Sequence, residues 1–332
     1  MSISFRLLFI ALTVQQIAAC APMTSLSQVE TFAASAVGLS EATGELIKEY
    51  NASTINAGLK NMAVQHHPGG QNLTFEKLES IQAVYGHDSL KKLSIVRANQ
   101  ALKQYSSAVL GLAQAGDRES IAKASAGVVS SLHKFNESHQ GLTGRAEPLI
   151  GDSALGHIGA AIDLIGAKIV EKRRRQAIKI IVTKADPHIA ALVNELTASI
   201  DSLSFVDDIV TNRTLVLSTE IAGFNRRVAN EYYRNEPDQR FDDLKSLWES
   251  NQELLKTPAR VGHLKKALQE VAKQHSVIAT EVSEDRFTSD GIMRAIAEIK
   301  AMKEQYESFQ DAIVGCDKIR VDEDGSVSCG EA

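Results

Sequence analysis

The sequence predicts an all-α protein: an elongated antiparallel helical bundle with long, coiled-coil-like helices, finished by a small hairpin at the C-terminus. The first observation behind this fold class is that apolar residues recur at alternating steps of three and four along most of the chain. This spacing keeps one apolar stripe on a helix face and suits the packing of helix against helix. The second is that only six prolines interrupt 332 residues. We therefore expect residues 27–313 to form the bundle, with a soft boundary near 142–152.

The N-terminal third predicts two long helices. The first follows an apolar stripe through 29–50, continues through 55–62 after a shift in the spacing, and ends at the His-Pro-Gly-Gly run at 67–70. Proline and glycine in such a run are typical helix terminators. The second helix is expected to begin near Asp88 and to close at Gly116.

Two more helices are predicted before the middle of the chain. Asp117 is placed to cap the third helix, whose apolar stripe covers 121–135. A loop at 141–151, which contains glycines and a proline, follows it. The fourth helix covers 155–169 and runs into a basic stretch, which consists of Lys172, Arg173, Arg174 and Arg175.

The prolines are expected to set the helix boundaries in the C-terminal half. Pro187 is predicted to begin the longest helix, because its 3-4 spacing extends to about Asn235, or roughly 70 Å at 1.5 Å per residue. Pro237 and Pro258 are expected to bound a short helix between them, and the last helix starts near Ser289. The short helix carries Phe241, Leu244, Leu247 and Trp248.

The first 19 residues have the pattern of an export signal. Arg6 supplies the positive charge, and the nearly apolar run at 7–14 follows it. This run of roughly 10 residues is too short to cross a bilayer, which needs about 20 in a helix. Residues 17–20 read Ile-Ala-Ala-Cys, which resembles the lipobox of bacterial lipoproteins. The resemblance covers the signal only; an ordinary secreted protein is the alternative, and we recognise no family for the mature chain.

The lipobox resemblance implies an anchor and an address. In that family the chain is cut before the cysteine, so Cys20 would carry a diacylglyceryl group and an acylated amine, with 20–26 as lipid anchor and tether. Two or more acyl chains hold a protein on a membrane. In bacteria with two membranes an aspartate at the position of Ala21 retains lipoproteins at the inner membrane, so Ala21 implies the outer membrane and the periplasmic side. In a host with a single membrane this implication does not apply. The membrane is therefore the first expected partner.

The remaining cysteines form an even pair near the chain end. Cys316 and Cys329 would lie in an oxidising compartment, where a disulfide that closes 314–332 is the natural interpretation. Two short alternating segments flank an Asp-Gly turn signal at 324–325, which predicts a small β-hairpin or tight loop. A redox-active pair is the alternative, although such pairs usually have Cys-x-x-Cys spacing.

Two stretches resemble metal sites, and neither is predicted to bind metal. Read as a calcium loop, 320–331 puts Arg320 where the first carboxylate is required, so an acidic turn is the better interpretation. His133 and Glu137 lie four residues apart on a predicted helix with His139 close by, but two ligands on one face do not make a site. We expect no metal and no cofactor.

Composition and motifs narrow the functional classes. The chain has 36 Lys and Arg against 41 Asp and Glu, so it has no basic excess and nucleic acid is not an expected partner. No zinc-protease, nucleophile-elbow, P-loop or dinucleotide motif occurs, so we name no catalytic residue and do not expect an enzyme.

Three functions remain open. The leading hypothesis is a non-enzymatic, lipid-anchored envelope protein whose long helices scaffold or dock another envelope protein. The second is a helical bundle that binds or senses a small ligand. The third is membrane insertion by 154–170, a segment rich in glycine, alanine and isoleucine that resembles helical pore-forming toxins, with the basic stretch as the membrane contact. His157, Asp163 and Lys168 interrupt that segment, so it is not a stable span.

Overall fold

The computed structural model describes residues 26–66, 72–82, 87–144, 170–202, 204–232 and 236–314, with short pieces at 70, 146–148, 150–151, 155–156, 158, 234, 319–321 and 327–329. Side chains at 82–93, 202 and 305–332 are not among those described. The predicted signal peptide at 1–19, Cys20 and the tether up to residue 25 lie outside the described residues. So do Cys316 and most of 154–170.

Helices make up nearly all of the described chain, so the all-α prediction is confirmed. They are α1 (Ser27–Gln65), α2 (Phe75–Gln82), α3 (His87–Gln114), α4 (Arg118–Thr143), α5 (Val170–Ser202), α6 (Phe205–Ala229), α7 (Pro237–Ser283) and α8 (Asp290–Val314). Near the C-terminus, β1 (Ile319–Val321) and β2 (Val327–Cys329) pair as antiparallel strands, with Ile319 opposite Cys329. Because Cys316 lies outside the described residues, the disulfide stays a prediction.

The first half of α1 packs against α3, which in turn packs against α4. Its stripe through 29–50 is buried as the 3-4 spacing predicts. α3 returns antiparallel to it, with Asn99 Nδ2 donating to the Ser40 carbonyl at 2.8 Å. The turn into α4 has the predicted cap: the Asp117 carboxylate accepts from the Ser120 backbone N–H at 2.7 Å, and the Ser120 hydroxyl accepts from the Asp117 N–H at 3.2 Å. This capping box satisfies N–H groups that the first turn leaves without helical partners.

α5, α7 and α8 complete the core. α5 and α7 are antiparallel: Lys179 Nζ lies 2.7 Å from Asp285 Oδ2 at one end of the pair, and Lys265 pairs with Asp201 at the other. α8 returns along α7 and also packs on α1, while α4 and α3 contact α5. The buried apolar side chains of all these helices form one continuous core.

The predicted boundaries at Pro187 and Pro258 are wrong. Pro187 lies inside α5 and Pro258 inside α7, so the longest described helix is α7, with 47 residues, and not a helix that starts at 187. A proline inside a helix removes one backbone hydrogen bond, but both prolines are exposed and their helices are packed on either side, so tertiary contacts outweigh the local cost. Pro237 does begin its helix, as its fixed φ favours.

The chain also breaks where no break was predicted. α5 ends at Ser202, and Ser204 has a φ of 50° before α6 begins. This left-handed residue interrupts the long apolar stripe that otherwise continues from α5 into α6. Few local signals mark it, since neither glycine nor proline is present at the break.

Candidate functional site at one end of the bundle

Three helices continue beyond the common core and form one end of the molecule: the second half of α1, α6 beyond Ile209 and the first half of α7. α1 and α6 run side by side. The Tyr50 hydroxyl donates to Asp208 Oδ2 at 3.1 Å, and further along Lys60 Nζ donates to Glu220 Oε1 at 3.2 Å. Because residue numbers rise together along the contact, these two helices are parallel.

α6 and α7 form an antiparallel hairpin at the same end. Near the turn, Arg227 Nη2 donates to Asp243 Oδ2 at 2.9 Å. Further from the turn, Arg213 Nη1 donates to the Thr257 hydroxyl at 2.9 Å. The buried face of α6 is narrow and consists of Phe205, Ile209, Leu217 and Phe224.

At the base of this end, one carboxylate joins the three helices. Glu49 of α1 lies 2.8 Å from Arg213 Nη2 of α6 and also pairs with Arg260 of α7. Burial lowers the pKa of Arg213, and the neighbouring Glu253 opposes that shift. The guanidinium still stays protonated in any ordinary buffer. Two fixed cations on one carboxylate therefore hold the three helices at a defined spacing.

Beyond Glu49, this end leaves large apolar side chains in solvent. Among the described residues, those that remain exposed lie on α1, α6, α7 and the segment of α2, with Met293 of α8 as the exception. We call the group the distal end; it consists of Ile55, Leu59, Val64, Leu73, Phe75, Leu78, Leu215, Ile221, Val228, Tyr232, Phe241, Leu244, Trp248 and Leu255. α2 belongs with it because Ile81 packs against Gly58 of α1. Exposed apolar side chains that gather at one end of a folded protein mark a candidate interaction site.

The first half of α7 carries an apolar row that faces away from the bundle. Phe241, Leu244, Trp248 and Leu255 are 64%, 48%, 46% and 54% exposed. Their spacing places them within one narrow arc of the helix surface. Leu247 and Leu254 lie beside this arc and are half-buried, and Thr257, on the far side of the same helix, is buried and accepts from Arg213 of α6. One helix therefore presents two faces, of which only the inner one is used by the described fold.

A cleft of about 1080 Å³ opens where α1 diverges from the α6–α7 hairpin. Its lining mixes apolar and charged side chains, which include Val64, Leu247, Lys60, Glu220, Arg227 and Asp243. Four of the five charged side chains form two ion pairs, Lys60 with Glu220 and Arg227 with Asp243, and Arg226 is the fifth. The cleft thus gives the distal end a concave surface whose charged side chains are mostly paired with one another.

The chain matches no family model, no curated protein and no solved structure. What the distal end can do therefore rests on its chemistry: apolar side chains bordered by ion pairs suit the burial of a helix or another extended surface of a protein.

A chain of polar side chains crosses the core far from the distal end. Asp186 Oδ1 of α5 accepts from His275 Nδ1 at 2.9 Å and from the Ser276 hydroxyl at 2.8 Å. His275 Nε2 then accepts from the hydroxyl of Tyr105, at 2.7 Å, in the neutral imidazole. Phe32 packs beside the imidazole ring, and the cavity at this point is only about 10 Å³. There is no room for a substrate, so these bonds satisfy buried polar groups.

The two ends of this polar chain have shifted pKa values. Burial opposes ionisation of Asp186, but hydrogen bonds from His275 and Ser276 outweigh it and hold the pKa of that carboxyl below its usual value of 3.8. Burial, reinforced by the charge of Asp186, raises the pKa of Tyr105. Asp186 is therefore charged and Tyr105 neutral near pH 7.

The basic stretch predicted to touch a membrane begins α5. Arg174 Nη1 donates to the Ala115 carbonyl at 3.1 Å, and the guanidinium of Arg175 stands 5.6 Å from the centre of the Phe287 ring. Both arginines also pair with Glu171. Lys172 is exposed, and Arg173 is half-buried. Arg174 and Arg175 therefore have partners within the bundle.

The two metal lookalikes differ in what the structure describes. His133 and Glu137 are exposed, whereas His139 is buried and its Nδ1 lies 2.6 Å from Glu195 Oε1 on α5. In the part of the chain that the structure describes, no three His, Cys, Asp or Glu side chains gather as a metal site would need. The acidic turn at 322–326 lies outside the described residues.

One helical stretch passes a length and composition test for a membrane span. It runs from Val170 to Ala229, and 44% of its apolar window is buried inside the bundle. A core helix of a soluble protein passes the same test, so this stretch is weak evidence for insertion.

The sequence pattern placed part of the distal end, 55–62 of α1 and Phe241, Leu244 and Trp248 of α7, in apolar stripes but assigned them to no site. Two features of the sequence indicate a second apolar face. The 3-4 spacing of α1 is shifted at 55–62, and α7 carries an apolar row at 241, 244, 248 and 255 in addition to the row that is buried from Val261 onward. A second stripe on a helix is left over once the first is buried. Because Pro258 was expected to end that helix, the two stripes were not recognised as two faces of one element.

Proposed function

We propose that this protein is a non-enzymatic, lipid-anchored docking protein of the bacterial envelope, held at the membrane by Cys20 and binding another envelope protein through its distal end. The observation that carries the proposal is the gathering of exposed apolar side chains at the end of α1 opposite to its N-terminus. Surface of this kind marks a protein interaction site when it is contiguous.

The position of the predicted anchor supports this arrangement. Cys20 precedes α1, which begins at Ser27, by a tether that spans at most roughly 25 Å when extended. Leu59 lies on the same helix about 50 Å further on, by the helical rise. In this proposal the bundle is elongated and holds the distal end away from the membrane surface. At that distance the distal end can bind a second protein of the envelope. The disulfide proposed between Cys316 and Cys329 closes the chain end.

A small-ligand function is the second candidate, and the cleft at the distal end favours it. Its volume of about 1080 Å³ is ample for a metabolite. Its charged lining is largely internally paired, however, so few polar groups converge on a bound molecule. The docking proposal accounts for the exposed apolar residues outside the cleft, and ligand binding does not.

The docking proposal is tested by affinity capture from detergent-extracted envelopes. Three forms are compared: the native sequence, a distal variant with Leu59→Glu and Ile221→Glu, and a control with Met293→Glu, since Met293 is exposed away from the distal end. We expect the same partner with the native and control forms and its loss with the distal variant. Recovery that is identical for all three, or absent from all three, contradicts the proposal.

The anchor is tested separately by the intact mass of the membrane fraction. We expect the mass of a chain that begins at Cys20 with added acyl groups, and a further change of two hydrogens on reduction of the Cys316–Cys329 bond. A mature chain without acyl mass would contradict the proposed lipid anchor and membrane location. The docking surface at the distal end would then rest on the capture experiment.

A further inference from the structure

The outward row of α7, formed by Phe241, Leu244, Trp248 and Leu255, follows the seam pattern of a coiled coil. Phe241, Trp248 and Leu255 are seven residues apart and occupy the a positions, and Leu244 occupies a d position. The remaining d position between them holds Asn251. The inner face of α7 already packs on α6, so this row is not needed for the described fold.

Anionic lipid is a poor occupant for this row. Between 230 and 256 the chain has seven carboxylates and four cations, so the hairpin that carries the row is acidic. Anionic headgroups attract basic segments and not acidic ones. The occupant is therefore better sought among protein helices with a matching row.

We propose that the α7 row pairs with the same row of a second copy of this chain, in antiparallel orientation. A parallel pair would place Arg240, at a g position, opposite Lys245 of the other copy, at an e position, on both sides of the seam, and the two cations repel. An antiparallel pair places Lys245 opposite Gln252, so this repulsion is absent.

The antiparallel register also matches the core residues of the two copies. With a positions facing d positions, Leu244 of each copy lies opposite Leu255 of the other. Trp248 lies opposite Asn251, whose side-chain oxygen accepts from the indole N–H, so the polar group in the seam has a partner. The same patch contacts itself twice around a two-fold axis, as an isologous dimer requires.

The row is short, so the pair is weak in solution. It spans about 20 Å from Phe241 to Leu255 by the helical rise. One pair of such short rows buries less surface area than the roughly 1,200 Å² of a stable interface. Anchoring of both copies on one membrane, which rests on the proposed function, raises their local concentration and compensates for the weak contact.

Cross-linking between two single-cysteine variants tests both the partner and its orientation. Leu244→Cys and Leu255→Cys are made in the mature chain with Cys316→Ser and Cys329→Ser, and with Cys20→Ser in the soluble form, so that each variant carries one free thiol. The two are oxidised alone and as an equimolar mixture, at about 100 µM protein in solution and again on vesicles through the lipid anchor. We expect a covalent dimer that contains one copy of each variant in the mixture, and little from either variant alone, because each engineered cysteine is about 16 Å from its own equivalent in the antiparallel register. Equal self-cross-linking of each variant alone indicates parallel pairing and overturns the proposal.

A second measurement keeps the test independent of cysteine chemistry. Sedimentation of the native sequence, of Trp248→Glu and of Met293→Glu at about 100 µM is expected to show weak dimers for the first and third and only monomers for the second, with the same thermal unfolding midpoint for all three. If the native chain is monomeric in solution and forms no mixed cross-link on vesicles, copies do not pair. Capture of another envelope protein through Leu59 and Ile221 then still stands, so this failure is distinct from failure of the docking proposal.

Discussion

Tyr105 carries its hydroxyl into the centre of the bundle, where His275 is its hydrogen-bond partner. The apolar spacing of α3 accounts for the burial of Tyr105 but not for its pairing with His275, because a side chain's partners depend on which helices come together. Asp186 on α5 and His275 on α7 are 89 residues apart in the chain. Only the antiparallel packing of these two helices brings them into contact.

Replacement of Tyr105 by phenylalanine tests how much this buried bond contributes. Tyr105→Phe keeps the ring and leaves His275 Nε2 buried without its partner, so we expect the free energy of unfolding to fall by about 1–3 kcal/mol. Chemical denaturation measures the change. Tyr232→Phe, at an exposed position, is the matched control and should stay within about 0.5 kcal/mol of the native chain. Equal stability of Tyr105→Phe and the native chain contradicts the assignment.

The carboxyl of Asp186 makes the stability depend on pH. Its pKa in the folded chain is below the ordinary value of 3.8, so the unfolded chain takes up a proton first as the pH falls. The stabilisation is therefore fully present above about pH 5 and is lost as the pH falls through the folded pKa. In unfolding experiments between pH 7 and pH 3, the native chain should lose its advantage over Asp186→Asn. A gap between the two that does not narrow would show that the charge contributes nothing.

At the scale of the element, close approach of α3 and α4 depends on Gly141. A Cβ at this position would overlap the side chain of Ser94, whose own Cβ is 2.9 Å away. We expect Gly141→Ala to lower the free energy of unfolding by about 1–3 kcal/mol through forced separation of the helices. Gly262, inside α7 with open space around it, is the control, and its replacement by alanine should raise stability by about 0.5–1 kcal/mol. The same sign for both variants would contradict this packing.

The prolines of α7 give a second test at this scale. If α7 is continuous through Pro258, then Pro258→Ala restores a helical hydrogen bond and raises the free energy of unfolding by about 1 kcal/mol or more. Pro237→Ala removes the fixed φ at the helix start and should lower it by about 0.4–1 kcal/mol. Thermal unfolding of both variants measures the difference. A loss of stability in Pro258→Ala would instead support a helix that begins there.

These elements show what a single sequence can predict. The all-α class, the cap at Asp117 and the stripe of α1 follow from local rules, because spacing and capping act within one helix. The continuity of α5 and α7 through their prolines does not follow, since it depends on contacts with neighbouring helices.

The distal end illustrates the limit at the scale of the whole molecule. The 3-4 spacing of Phe241, Leu244 and Trp248 is visible in the sequence. An apolar stripe has this same spacing whether it is buried in the fold or exposed on its surface. Only the arrangement of α1, α6 and α7 shows that this stripe faces outward while Leu247 and Leu254 beside it are half-buried. The Glu49 pairs with Arg213 and Arg260 were likewise invisible, because they join three separated segments.

Photo-cross-linking in intact cells tests the central claim most directly. A photoreactive residue is placed at Leu59 or Ile221 in the distal end and, as controls, at Met293 and at the exposed Lys123 of α4. The account predicts an adduct with another envelope protein from both distal positions and from neither control position. The same adducts from all four positions, or no adduct from Leu59 and Ile221, would contradict the claim that the distal end is a docking surface.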